Sequence, residues 1–258
     1  MSENQAIIYV HYGPLPRYLL HTIENSRVFN PQTPIYVIGD HFNHRLHKFS
    51  VQFVSFSELE TKEHRFFLKN YEHISTESVT FERFCIIRWF HMWQLMRKYG
   101  IQQAIHCDSD CFLFTNTDSL HEQLSLFDLT TAQGGCPHFA LIHRPLDDLI
   151  QYCLSVFSDK TGLAQRKEQW QFSVESVGPA ANLNDMRVIS EYTQMSESCA
   201  FYDDLPPMDG VFERGIALSD GYEMHRKTHW KGTGLLTHAK EIFYSHFWPG
   251  FKRRLAAS

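Results

Sequence analysis

Asp108 and Asp110, separated by Ser109, stand in the stretch Ile101 to Phe114, IQQAIHCDSDCFLF. Two carboxylates one residue apart offer hard oxygen donors of the kind Mg²⁺ or Mn²⁺ takes. Such ions usually serve a phosphate-bearing substrate. One carboxylate binds such an ion directly and the other through water, provided that a strand delivers both to an edge where a ligand can sit. The plain alternative is a pair of turn or capping aspartates.

The surrounding elements favour delivery to an edge. The segment Thr80 to Tyr99, TFERFCIIRWFHMWQLMRKY, reads as a helix with Phe84, Ile87, Phe90 or His91 and Leu95 along one apolar face, and Gly100 stops it. It runs into the apolar strand that carries the aspartates. In open α/β folds, ligands bind at the carboxyl ends of such strands. Ala6 to Val10 is a first strand, followed by a loop His11-Tyr12-Gly13-Pro14, and Leu15 to Val28 has helical spacing. Pro31 and Pro34 interrupt the chain before a second strand, Ile35 to Ile38, closed by Gly39 and Asp40. Val51 to Phe56 is a third strand. The strand, helix, strand rhythm implies right-handed crossovers and a parallel sheet.

The second half is less regular. Leu120 to Leu129 reads as a short helix, Gly134 and Gly135 as a turn, and Pro145 to Phe157 as a helix. Ala181 to Tyr192 reads as another, starting near Asn182 or Asn184 and Asp185. From Asp203 to His229 turns alternate with short strand-like pieces. No internal repeat or linker breaks the chain, so residues 1–258 are expected to form one domain, with 118–258 an irregular elaboration of 1–117.

With 258 residues, 43% hydrophobic and 14% aromatic, the chain can bury a full sheet between helices. A formal net charge of -5 with scattered basic residues gives no reason to expect a nucleic-acid partner. The C-terminal Phe247, Trp248, Phe251, Lys252, Arg253 and Arg254 suit weak contact with an anionic membrane surface or an acidic acceptor, or simply a solvated tail. Cys85, Cys107, Cys111, Cys136, Cys153 and Cys199 are dispersed and resemble buried thiols more than a disulfide framework. If their segment is a strand, Cys107 and Cys111 share a face, yet zinc would need two further ligands that no paired motif supplies. The sequence shows neither a secretory signal nor an apolar run long enough to span a membrane, so a cytoplasmic location is expected, peripheral to a membrane if the tail engages one.

The block from Phe84 to Thr117 joins an arginine-bearing aromatic helix, a Tyr-Gly stop, an apolar strand and D-S-D. It resembles the D-x-D region of GT-A fold glycosyltransferases. The resemblance implies a Rossmann-like α/β fold with a mostly parallel central sheet flanked by helices and an irregular acceptor-side elaboration. It further implies a nucleotide-sugar-binding half (1–117), an acceptor-side half (118–258), and metal-dependent transfer, of hexosyl type, from a nucleotide diphosphate sugar to a hydroxyl of a glycan or other acceptor. Asp108 and Asp110 then hold Mn²⁺ or Mg²⁺, with Ser109 beside the donor. Arg88 on the preceding helix reaches the diphosphate region, with Arg83 as competitor and pairing on the helix surface, for example with Glu82, as the plain reading. Val10, His11 and Tyr12 contact base and ribose, although Tyr12 would also suit ordinary packing.

His229-Trp230-Lys231-Gly232 resembles the H-x-x-G element of such families, whose histidine completes the metal site while lysine and glycine approach the diphosphate. Leu235 departs from the fuller H-x-x-G-x-x-K form, and His246 is a rival ligand. Asp185 matches the place where related enzymes set an acidic or amide residue near the reacting centre, and a hydroxyl must lose its proton there if the reaction inverts. A helix cap is its plain reading, and Asp203, Asp204 and Asp209 are alternatives. Two other functions remain open at this point. One is a phosphatase or phosphotransferase of the haloacid dehalogenase type, although D-S-D lies far from the first strand. The other is a non-catalytic nucleotide-sugar-binding module. No G-x-G-x-x-G or G-K-[ST] element supports a dinucleotide or P-loop site.

Overall fold

A computed structural model describes residues 4–132, 135–176 and 182–205. The chain divides into units 1–207 and 208–258, and all described residues belong to the first. His229, Lys231, Gly232, His246, Asp209 and the aromatic and basic C-terminal residues lie outside the described residues, as does the side chain of Asp203.

The first half follows the expected order: β1 (Gln5–His11), α1 (Arg17–Phe29), β2 (Ile35–Gly39), β3 (Val51–Ser55), α2 (Lys62–Asn70), α3 (Val79–Tyr99) and β4 (Gln103–Cys107). These four strands pair in parallel, β1 lying between β2 and β4. The remaining elements are α4 (Thr117–Gln123), β5 (Leu129–Ala132), β6 (Cys136–Ile142), α5 (Asp147–Ser158), α6 (Lys160–Ser176), α7 (Asp185–Met195) and β7 (Cys199–Phe201). The result is a seven-stranded sheet in the order β3-β2-β1-β4-β6-β5-β7, flanked by helices. The α/β class with a mostly parallel sheet is therefore observed. The departure is β6, antiparallel to both β4 and β5.

Side-chain alternation along β1 explains why both faces are covered. Ala6, Ile8 and Val10 join the cluster that contains Trp89, Phe90 and Trp93 of α3. Tyr9, fully buried on the opposite face, places its hydroxyl 2.6 Å from Ser26 Oγ of α1. Burial of each such large apolar side chain contributes roughly 1.5–3 kcal/mol, so the 21-residue α3 is held by packing along its length. Ser78 caps its start, its side chain accepting from Phe81 N, and Gly100 ends it in the left-handed conformation at φ 67°.

Three differences from the sequence reading have local causes. The segment Leu120–Leu129 is not one helix: α4 ends at Gln123, and Leu129 opens β5 because it pairs with both Ile142 and Cys199. Asn184, not Asp185, caps α7, with its side chain accepting from Arg187 N at 2.9 Å. The strand carrying D-S-D ends at Cys107, and Cys111 N donates to Asp108 O at 2.9 Å in a turn, so Cys107 and Cys111 do not alternate along a strand. All six cysteines are thiols rather than disulfide halves, five of them buried. Among the described residues no helix is long and apolar enough to cross a membrane.

A Cβ at position 100 would meet nothing within 4 Å, so Gly100→Ala isolates the backbone cost of the left-handed cap. This substitution is expected to lower unfolding free energy by about 1 kcal/mol, read from equilibrium urea denaturation. An unchanged midpoint would contradict the cap's role in ending α3.

Candidate active site

Strand β4 lies between parallel β1 and antiparallel β6, and its carboxyl end opens into the turn at Asp108. The turn is held from several sides. Asp108 N donates to His138 O of β6 at 2.8 Å. Thr22 Oγ1 of α1 lies 3.1 Å from Ser109 O and 2.9 Å from Leu19 O, its one proton shared between the two carbonyls, and Ser109 Oγ lies 3.3 Å from His11 Nδ1 at the end of β1. The aspartates thus sit on a backbone fixed by three neighbouring elements.

Arg88 is the buried cation of the site. Its Nη1 donates to Asp108 Oδ1 at 2.7 Å and its Nη2 to Asp185 Oδ2 at 2.6 Å. Charge-assisted bonds of this length are the strong class. The Arg88 residue is 8% exposed and Asp185 5%. Burial opposes the charge on Arg88, yet the Asp185 and Asp108 carboxylates more than compensate and hold its pKa above the ordinary value. Asp185 Oδ1 accepts from Met186 N at 2.9 Å, so both its oxygens are engaged. Its position follows from α7: Asn184 caps the helix, and Asp185, in the first turn, points its carboxylate at α3.

His106, two residues before Asp108 on β4, is fully buried. Its Nδ1 lies 3.0 Å from the Ile8 carbonyl, an acceptor, so Nδ1 carries a proton. Its Nε2 is 3.6 Å from Asp108 Oδ1, beyond hydrogen-bonding distance. Burial alone would raise the pKa of Asp108; Arg88, with a smaller contribution from His106, holds it down at about 2. Asp110 is exposed and makes no ion pair among the described residues.

The loop after β1 forms the other wall. Val10 is buried, His11 half-buried, and burial lowers the pKa of His11 below that of an ordinary imidazole. Tyr12 is 57% exposed and meets Phe56 at 6.5 Å and Phe84 at 5.7 Å between ring centroids. Asp40 fixes this loop by accepting from Gly13 N at 2.7 Å.

Several expected residues therefore converge: Arg88, Asp108, Asp185, His11 and Ser109 form one connected set. The competing reading of Arg88 as a surface cation paired with Glu82 is not what the structure has, because Glu82 is buried against Ser75 at 2.9 Å. Arg83 stays outside the set, and Asp204 is exposed. Sequence reasoning missed His106, Thr22, Asp40 and His138. Strand alternation could have flagged His106, two residues before Asp108, whereas Thr22 and His138 arrive only through packing. Among the described residues no third His, Cys, Asp or Glu joins Asp108 and Asp110 in a metal-holding group. The two carboxylates by themselves would offer oxygen donors, the kind Mg²⁺ and Mn²⁺ take.

No protein-family model matches the sequence, and no curated protein matches it. Solved structures do. Mouse xyloside xylosyltransferase 1, in its apo form, is 12% identical over 89% of this chain and 94% of its own, with a TM-score of 0.49. GlyE of Streptococcus pneumoniae TIGR4, a glycosyltransferase, is 11% identical with a TM-score of 0.39; the match covers 93% of this chain, which spans 51% of GlyE. The galactosyltransferase LgtC, solved with donor and acceptor sugar analogues, is 10% identical over 76% of this chain and 72% of its own, with a TM-score of 0.39. All three are glycosyltransferases.

The Arg88 bridge predicts an acid-sensitive component of stability. An unperturbed aspartate titrates near 4, so the depressed folded pKa of Asp108 means that its contribution is complete above about pH 4 and is lost as pH falls towards 2. Arg88→Met is expected to destabilise the protein at pH 7 by about 3 kcal/mol, since it strands two partly buried carboxylates. It should also flatten the fall in stability between pH 4 and pH 2. Parallel stability curves for the two proteins across that window would refute the coupling.

Proposed function

We propose that the chain is a metal-dependent glycosyltransferase that moves a sugar from a nucleotide diphosphate sugar to an acceptor hydroxyl. The observation that carries this reading is the D-S-D turn at the carboxyl end of the central strand β4, with a buried arginine fixing one of its carboxylates. Asp108 and Asp110 would hold Mg²⁺ or Mn²⁺, which when bound supplies positive charge against the donor diphosphate.

The residues around it divide the remaining work. Arg88 acts on Asp108 and, through its charge, on a diphosphate drawn to the turn. Asp185 fixes the Arg88 guanidinium and so acts as a positioning residue; its engaged oxygens give it that role before any part in taking the acceptor proton. Tyr12, backed by Phe56 and Phe84, offers an exposed ring on which a nucleobase can stack, next to Val10 and His11. His229, Lys231 and Gly232 would complete the metal and diphosphate contacts. A dehalogenase-type phosphotransferase fits less well, because its nucleophilic aspartate must be free to attack, whereas Asp108 is bonded to Arg88 at 2.7 Å.

The test is a thermal-shift panel of nucleotide diphosphate sugars with and without Mn²⁺, followed by donor hydrolysis and transfer assays. One donor is expected to raise the melting temperature by about 3 °C or more at saturating concentration, only with metal present. Asp110→Ala should abolish that shift and the turnover while leaving the unliganded melting temperature within about 1 °C, Asp110 being exposed. Near-normal transfer by Asp110→Ala in Mn²⁺ would sink the proposal. Metal-dependent donor binding without hydrolysis or transfer would instead identify a binding module.

A further inference from the structure

Most arginines and lysines among the described residues have partners. Arg27 donates to backbone carbonyls, Arg97 faces Asp147, Lys98 faces Glu58, Arg144 faces Asp128, and Arg166 and Arg187 share Glu191. Arg17, Arg45, Lys48, Arg65, Lys69 and Arg83 make no ion pair or side-chain hydrogen bond among the described residues, and the first three line one cavity of about 200 Å³.

The cavity is built from two elements. Arg17, Leu20 and Glu24 recur at three- and four-residue spacing along α1 and so share a face. The 3₁₀ turn His44–Phe49 supplies Arg45, Lys48 and Phe49 from the facing side. Glu24 is the one carboxylate in the lining, and His21 Nδ1 stands 3.7 Å from it. The two walls are tied together: Arg27 Nε of α1 donates to Phe49 O at 3.3 Å, and Leu46 is fully buried beneath the turn. The backbone that carries the cations is thus fixed on both sides of the cavity. Three cations against one carboxylate make a local positive excess in a chain of net charge -5. Guanidinium forks and an ammonium around a small cavity are the chemistry that recognises phosphate.

We propose that this cavity binds a phosphate group, at a site separate from the D-S-D turn. Thr22, which bonds Ser109 O, lies on the side of α1 away from Arg17, Leu20 and Glu24, so the thickness of a helix, roughly 10 Å, separates the two sites. A phosphate held here is therefore not the diphosphate held at Asp108. It belongs to a second ligand, either a soluble phosphorylated compound or the phosphate headgroup of a lipid. The proposal stands on this surface alone and does not require the transfer reaction.

The experiment uses the full chain in EDTA-containing, low-salt buffer, where metal-dependent binding at Asp108 and Asp110 is silent. One arm titrates inorganic pyrophosphate by calorimetry; the other sediments the protein with phosphatidylcholine vesicles with and without phosphatidylglycerol. In at least one arm, wild type and Asp110→Ala are expected to bind equally, and Arg45→Glu/Lys48→Glu to bind about tenfold more weakly or worse. Raising the salt should weaken the wild type as well. Binding in the pyrophosphate arm assigns a soluble phosphate source, and binding only to anionic vesicles assigns a lipid headgroup. Arg45→Gln/Lys48→Gln, neutral and at exposed positions, should give an intermediate loss and serves as the reporter if charge reversal impairs folding. Absence of binding in both arms, or equal binding by wild type and the neutral variant, overturns the proposal.

Discussion

A buried guanidinium without partners would be among the most costly groups in a fold, and Arg88 has two carboxylate partners contributed by segments distant in sequence. It rises from the middle of α3, meets the turn after β4 through Asp108, and meets the start of α7 through Asp185. Removing any one of these side chains leaves the charge of a partner less compensated. Among the described residues Arg88 Nε is buried without a partner, a loss on the order of 1–3 kcal/mol that the two charge-assisted bonds must offset. The geometry of the site and the packing of α3, β4 and α7 are for this reason one problem, solved by the same interactions.

The rest of the site edge is organised by the neighbours of β4. On one side, β1 ends in His11, which meets Ser109, and its loop carries Tyr12 on an aromatic base of Phe56 and Phe84. On the other, antiparallel β6 brings the His138 carbonyl to Asp108 N. A parallel strand entering there would reach the turn with its opposite end. The one reversal of direction beside β4 thus determines which backbone groups border the carboxylates.

What the sequence made legible were features written in local pattern. The strands Ala6–Val10 and Ile35–Ile38, the long helix ending at Gly100, and the placing of Asp108 at a strand's carboxyl end all follow from apolar periodicity and turn residues. The family resemblance placed Arg88 at the donor diphosphate and said nothing of its pairing with Asp108; its second partner, Asp185, is set by a tertiary contact across 97 residues. Strands β5, β6 and β7 were not legible. They are short and acquire strand character from pairing, with Thr130 and Thr131 fully buried where polar residues would ordinarily mark a surface. Helix α6 lacks a continuous apolar stripe, so periodicity gave no sign of it.

The bond from Thr22 to the turn has a consequence for how the D-S-D segment can vary over time. Thr22 Oγ1, whose one proton is shared with the Leu19 carbonyl at 2.9 Å, reaches the carbonyl of residue 109, a group every amino acid possesses, while among the described residues the side chain of Ser109 makes a 3.3 Å contact to His11. The spacing between the two carboxylates is thereby guarded by the main chain of the residue between them. Drift at position 109 is buffered by this arrangement, and part of the constraint on the chemistry falls instead on a helix residue outside the carboxylate set.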